Sequence, residues 1–192
     1  MVVTSHTYMS AQEQQWDQSG KMKVNIGKYR DNRKVDIRID DYDVWGADHT
    51  LALIIHPVLV KLKEVKQGSP CVDDEDVPDN LKSTDAPDKE NEWDTDDNHH
   101  GRWEYVLDEM IWAFEQHTYD DCNDNQFHHN QDQLDMTFEP ADENGMRSLV
   151  MNDQKDPTKP AYWVDEEGKK KHYDRIAEGR RLFAKYYDGL WD

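Results

Sequence analysis

Cysteine is nearly absent from this chain: Cys71 and Cys122 are the only two in 192 residues. Two thiols cannot staple a domain of this size, and neither has a CxxC partner. Free thiols in a reducing compartment, without a structural zinc site, are therefore the simplest expectation. Apolar residues are also scarce, at 35 % of the chain, and no apolar run approaches the roughly 20 residues of a membrane span. The first residues lack the basic-then-apolar order of a secretory leader. A Gly-rich phosphate loop, a GxSxG elbow and a Cys–His nucleophile signature are missing too. Positive charge is the last deficit: 23 Lys and Arg face 42 Asp and Glu, for a net −19. That balance argues against a grip on a nucleic-acid backbone, which needs a basic face.

What the chain does hold is aromatic side chains and a concentrated block of acid. Seven Trp, nine Tyr and four Phe supply much of the core, because aromatics bury the most area per residue. The acid is regional. Residues 71–100 carry twelve Asp or Glu against two Lys, whereas residues 161–192 are neutral overall. Solubility alone accounts for such a charge. The alternatives are a basic protein partner, a metal, or imitation of nucleic acid with carboxylates standing in for phosphates.

Residues 1–20 are polar and without period, and read as a mobile arm ahead of one domain spanning 21–192. Val35, Ile37 and Ile39 alternate with Asp36, Arg38 and Asp40, the signature of a half-buried strand. It pairs with residues 21–27 as a hairpin. Asp48 is the expected N-cap of a first helix, whose stripe is Leu51, Ile54, Ile55, Val58, Leu59 and Leu62, with Pro57 inside it. Residues 71–100 read as a long, flexible acidic loop. Trp103, Val106, Leu107, Met110, Ile111 and Phe114 predict a central helix over 101–117. Leu134, Met136 and Phe138, followed by Asn144-Gly145, predict a second hairpin. From about residue 169 a C-terminal helix follows, in which Gly179 is a close-packing site. The fold class is α+β: a small antiparallel sheet of two hairpins against about three helices.

Four stretches, YDVWGADHTLALIIHPVLVKLK (42–63), GSPCVDDEDVP (68–78), RWEYVLDEMIWAFE (102–115) and RIAEGRRLFAKYYDGLWD (175–192), resemble a family of tailed-bacteriophage proteins that carries no established activity. They cover about a third of the chain. The resemblance implies a place in the virion or the infected bacterial cytoplasm. It brings no catalytic residues, and it suggests that VDDEDVP is an ordered element.

Candidate chemistry rests on three groups. Glu104, Asp108 and Glu109 on the central helix, with His49 and His56 on the first, would form a divalent-metal site for a metal-dependent hydrolase; a solvated polar edge is the plainer reading. Asp121, Asn123, Asn125 and Asp132 fit part of an EF-hand loop, but Gln126 stands where its turn needs Gly. The basic residues of the last helix either touch phosphate or pair with the chain's own acid. No cofactor motif is present. The leading expectation is a non-enzymatic protein that uses Asp73, Asp74, Glu75 and Asp76 to bind a host or phage protein with a basic surface, away from membranes.

Overall fold

The computed structural model describes residues 23–27, 33–152 and 154–191. The N-terminal arm lies outside them. The chain divides into two units, Met1–Ala47 and Asp48–Asp192, and the class is α+β.

In the first unit, β1 (Lys23–Ile26) pairs antiparallel with β2 (Val35–Arg38), Ile26 opposite Val35 and Lys23 opposite Arg38. The expected hairpin is there, but its strands are not half-buried: both are exposed along their whole length. Helix α1 (Asp41–Trp45) follows, nucleated by a capping box in which Asp40 and Asp43 each accept from the other's backbone region. This short helix was not foreseen. Asp48, the expected cap, lies instead within the first turn of α2 (Ala47–Val65).

The second unit is built on three long helices: α2, α3 (His99–Gln116) and α4 (Glu166–Lys185). Pro57 sits inside α2, which continues through it. Trp103, Val106, Leu107, Met110 and Ala113 give α3 a fully buried stripe. Its other side is also covered: Arg175 of α4 lies 3.9 Å above the Trp112 ring. Ile176 and Leu182 bring α4 into the core, and Ala52 and Leu59 bring α2. At Gly179 the α3 and α4 backbones meet so closely that a Cβ would overlap the Cβ of Ala113 and the Glu109 carbonyl. The close-packing expectation for this glycine holds.

The remaining strands form two small antiparallel ladders. β3 (His128–His129) pairs with β6 (Trp163–Val164), and β4 (Met136–Phe138) with β5 (Leu149–Met151). The second is the hairpin predicted around Asn144-Gly145, with Gly145 at φ 79° in its connection. Most β4–β5 side chains are exposed, so the core is helix on helix and the ladders lie at its margin.

Residues 71–100 are not featureless. Three single 3-10 turns, Asp74–Asp76, Asp79–Leu81 and Ser83–Asp85, succeed one another, and Val72 and Val77 join the core. The element suggested by VDDEDVP is thus present.

Candidate binding surface

The acidic stretch is held by helices at both of its ends. At the first, Asp76 is buried against α4, its side chain only 2 % exposed. One carboxylate oxygen takes an ion pair from Arg181. The other accepts from Lys185 Nζ at 2.6 Å and from the Tyr186 hydroxyl at 2.5 Å. Tyr186 in turn accepts from the Asp73 backbone N–H, and Lys185 also reaches Asp73 and Glu75. Burial would raise the Asp76 pKa, but hydrogen bonds from Lys185, Tyr186 and Arg181 outweigh it and hold the carboxyl below its ordinary range. Burial and the Asp76 hydrogen bond push the Tyr186 phenol up to about 12. A buried carboxylate with two cations and a hydroxyl is what an interior anion needs to remain charged.

At the second end, Asp96 receives Arg102 of α3 through paired bonds of 2.9 and 2.7 Å. Arg102 is itself buried and also donates to the Leu81 carbonyl. Asp74 accepts from the Ser83 backbone and hydroxyl, which keeps its pKa low. Asn98 ties back to the Lys82 carbonyl.

Between these anchors runs an exposed arc. Asp85, Asp88, Glu90, Glu92, Asp94 and Asp97 have no cationic partner among the described residues, and only Lys89 interrupts them. In their midst Trp93 is 86 % exposed. An indole that solvated, set in a row of carboxylates that no cation neutralises, is a conspicuous surface feature of the second unit.

The four acidic residues expected to face a partner are therefore divided. Asp76 is interior, Asp74 accepts from Ser83, and Asp73 and Glu75 share Lys185 while remaining exposed. Four of the five candidate metal ligands are engaged elsewhere. Glu104 pairs with Lys66 at 2.5 Å and Lys63 at 3.5 Å, Asp108 with Lys63 at 2.5 Å, and Glu109 with Arg175 at 2.8 Å. Lysines of α2 and the residues just after it thus stitch that helix to α3 where a cation had been expected. His49 donates to the His117 carbonyl, and His56 is half-buried on α2. Among the described residues, the one group of three metal-type donors within 4.8 Å is Asp73, Glu75 and Asp76, where Lys185 already sits. Of the EF-like positions, Asp121, Asn123 and Asn125 fall in the 3-10 segment Asp120–Phe127 and Asp132 in the next turn. Four basic residues of α4 pair with other parts of the fold, Lys169 with Asp124, Arg175 with Glu109, and Arg181 and Lys185 with the acidic turn, whereas Lys170 and Lys171 pair with Asp174 and Glu167 of their own helix.

Sequence reasoning missed Trp93. Its signal was available: it is the single large apolar residue between residues 82 and 102. No protein-family model matches the chain, and no curated protein or solved structure matches it. Among the described residues, no helix is long and apolar enough to cross a membrane.

Proposed function

We propose that the protein binds another protein through the arc of residues 85–97, with the carboxylates steering a basic surface and Trp93 anchoring it. The observation that carries this reading is the 86 % exposure of Trp93 among carboxylates without a cationic partner among the described residues. Tryptophan is enriched among the few residues that dominate interface energies, and surrounding charge mainly sets the rate and selectivity of encounter. Both ends of the arc are fastened to helices, so docking need not order a free loop, which spares the entropy that such ordering costs. The phage resemblance supports a host or phage partner met in the infected bacterial cytoplasm or the virion. Nucleic-acid mimicry is the special case in which the basic surface is a nucleic-acid site.

The test is affinity capture from extracts of phage-infected bacteria with three baits. These are the full chain, Trp93→Ala, and a variant with Asp85, Asp88, Glu90, Glu92 and Asp94 converted to their amides. A specific partner should appear on the first bait alone. It should also elute as salt rises from about 0.05 M towards 1 M, where the screening length falls to about 3 Å. Equal capture by all three baits, or capture indifferent to salt, would sink the reading.

A further inference from the structure

Helix α2 carries two apolar faces, and only one is covered. Ala52 and Leu59 are buried in the core. Leu51, Ile54, Val58, Leu62 and Val65 fall within one sector of the helix, turned by roughly 100° from that buried face. In this second stripe Leu51, Val58 and Val65 are exposed, Val58 the most at 59 %, and Ile54 and Leu62 are half-buried. A groove of about 510 Å³ opens along it. Ile54, Val58 and Leu62 lie on its α2 wall, with Phe183, Tyr187 and Leu190 across from them. The Phe183 and Tyr187 rings meet edge to face at 5.7 Å, which props the far wall.

No side chain lining this groove is charged. Of the 42 Asp and Glu, none falls in residues 49–63, where the only cations are Lys61 and Lys63. Lys61 is engaged by Glu64, and Lys63 by Glu104 and Asp108.

We propose that a second copy of the chain docks on this face, α2 against α2, about a two-fold axis at Val58. The stripe reads alike in both directions from that residue. Ile54 and Leu51 stand four and seven positions before it, and Leu62 and Val65 four and seven after. Antiparallel packing about the axis sets Leu51 of one copy opposite Val65 of the other, and Ile54 opposite Leu62. A two-fold contact requires such self-complementarity, because one patch must fit itself. Charge favours the same occupant. Two chains of net −19 repel across their acidic surfaces, and this carboxylate-free face is where they can approach. A basic partner is drawn instead to the arc of residues 85–97. The area is adequate for a modest affinity. With roughly 60–120 Å² for a whole aliphatic side chain and more for an aromatic, the stripe and far wall expose on the order of 500 Å² of apolar surface. One side of a standard interface is about 800 Å², and in homodimers about 65 % of it is apolar.

Sedimentation velocity of the full chain, run from about 1 to about 300 µM, tests this. The 22.7 kDa chain should convert progressively to a species of twice that mass. The dimer should tighten as salt rises, because screening relieves the repulsion between two acidic chains, whereas contacts of the acidic arc would weaken. Val58→Glu should weaken self-association about tenfold or more, since it sets two carboxylates face to face in an apolar contact. Its far-UV circular dichroism should match the wild type, because Val58 is exposed in the single chain. In a Cys71→Ser background, Val58→Cys should form a disulfide-linked dimer with diamide as oxidant. Leu53→Cys, at a position similarly exposed but on another side of the helix, should not. A chain monomeric at every concentration and salt, a dimer that Val58→Glu leaves intact, or equal cross-linking from position 53 would overturn the proposal.

Discussion

The two halves of the acidic stretch have nearly the same composition and opposite fates. In the first, around residues 73–79, Asp76 is buried against Arg181, Lys185 and Tyr186, while Asp73 and Glu75 pair with Lys185 and Asp79 with Lys82 at the surface. In the second, from Asp85 to Asp97, all but Asp96 stand in solvent without a cationic partner among the described residues, around the exposed Trp93. The difference lies outside the stretch, in what α3 and α4 offer it. Acidic sequence is structural where a helix presents cations at its level, and it is free for a partner where none is presented.

The largest expected effect falls on the anchors. Asp96→Ala leaves the buried Arg102 guanidinium without its paired carboxylate, and should cost about 4 kcal/mol of unfolding free energy in urea. A loss below about 1 kcal/mol would mean that the arc is not fastened there. Gly179→Ala tests the helix pair that supplies the cations. Its Cβ would meet Ala113 and the Glu109 carbonyl, so about 2 kcal/mol should be lost as α3 and α4 are forced apart.

Acid should separate the structural carboxylates from the free ones. Asp76 and Asp96 both have depressed pKa values, the first despite its burial and the second chiefly through the Arg102 hydrogen bond. Their stabilisation is complete above the ordinary carboxylate value of 3.8 and is lost as pH falls through their lower folded values. His117 is also depressed, through burial and then Arg180, from its ordinary 6.5. Its contribution is present above 6.5 and declines as pH falls towards the folded value. Urea midpoints in metal-free buffer should therefore fall in two stages, the first below about pH 6.5 and the second below about pH 4. His117→Gln should remove the first stage alone.

The smallest effect is expected in the arc. Trp93→Ala should change stability by less than about 0.5 kcal/mol, because the ring touches little when free. A greater loss would show that Trp93 packs into the fold and is not available to a partner.

The helices were legible because their spacing is. Leu107, Met110 and Phe114 recur at the helical period, and the predicted centre of the fold is where α3 lies. The two hairpins were legible from alternation and from Asn144-Gly145, although alternation could not show that Val35 and Ile37 remain exposed. The β3–β6 ladder left no trace, since two residues per strand cannot establish a period. The role of Asp76 was hidden for a different reason. Nothing in DDED distinguishes its fourth residue, and its partners lie more than a hundred residues away, at Arg181, Lys185 and Tyr186. Glu104 and Asp108 were correctly placed on one edge of a helix, but that edge faces Lys63 and Lys66. Likewise, the 3.3 Å contact of Cys122 Sγ with His117 Nδ1 depends on a left-handed turn at Asp121–Asn123 that its sequence does not announce.

The division of the acidic stretch is tested most directly by urea unfolding of two charge-removing variants side by side. One is Asp76→Asn. The other converts Asp85, Asp88, Glu90, Glu92 and Asp94 together. The single substitution should cost about 3 kcal/mol, because it leaves Lys185 and Arg181 facing a neutral buried group. The fivefold substitution should cost less than about 0.5 kcal/mol, or stabilise slightly as mutual repulsion is relieved. A fivefold variant that loses as much as Asp76→Asn, or an Asp76→Asn protein as stable as the wild type, would contradict the division.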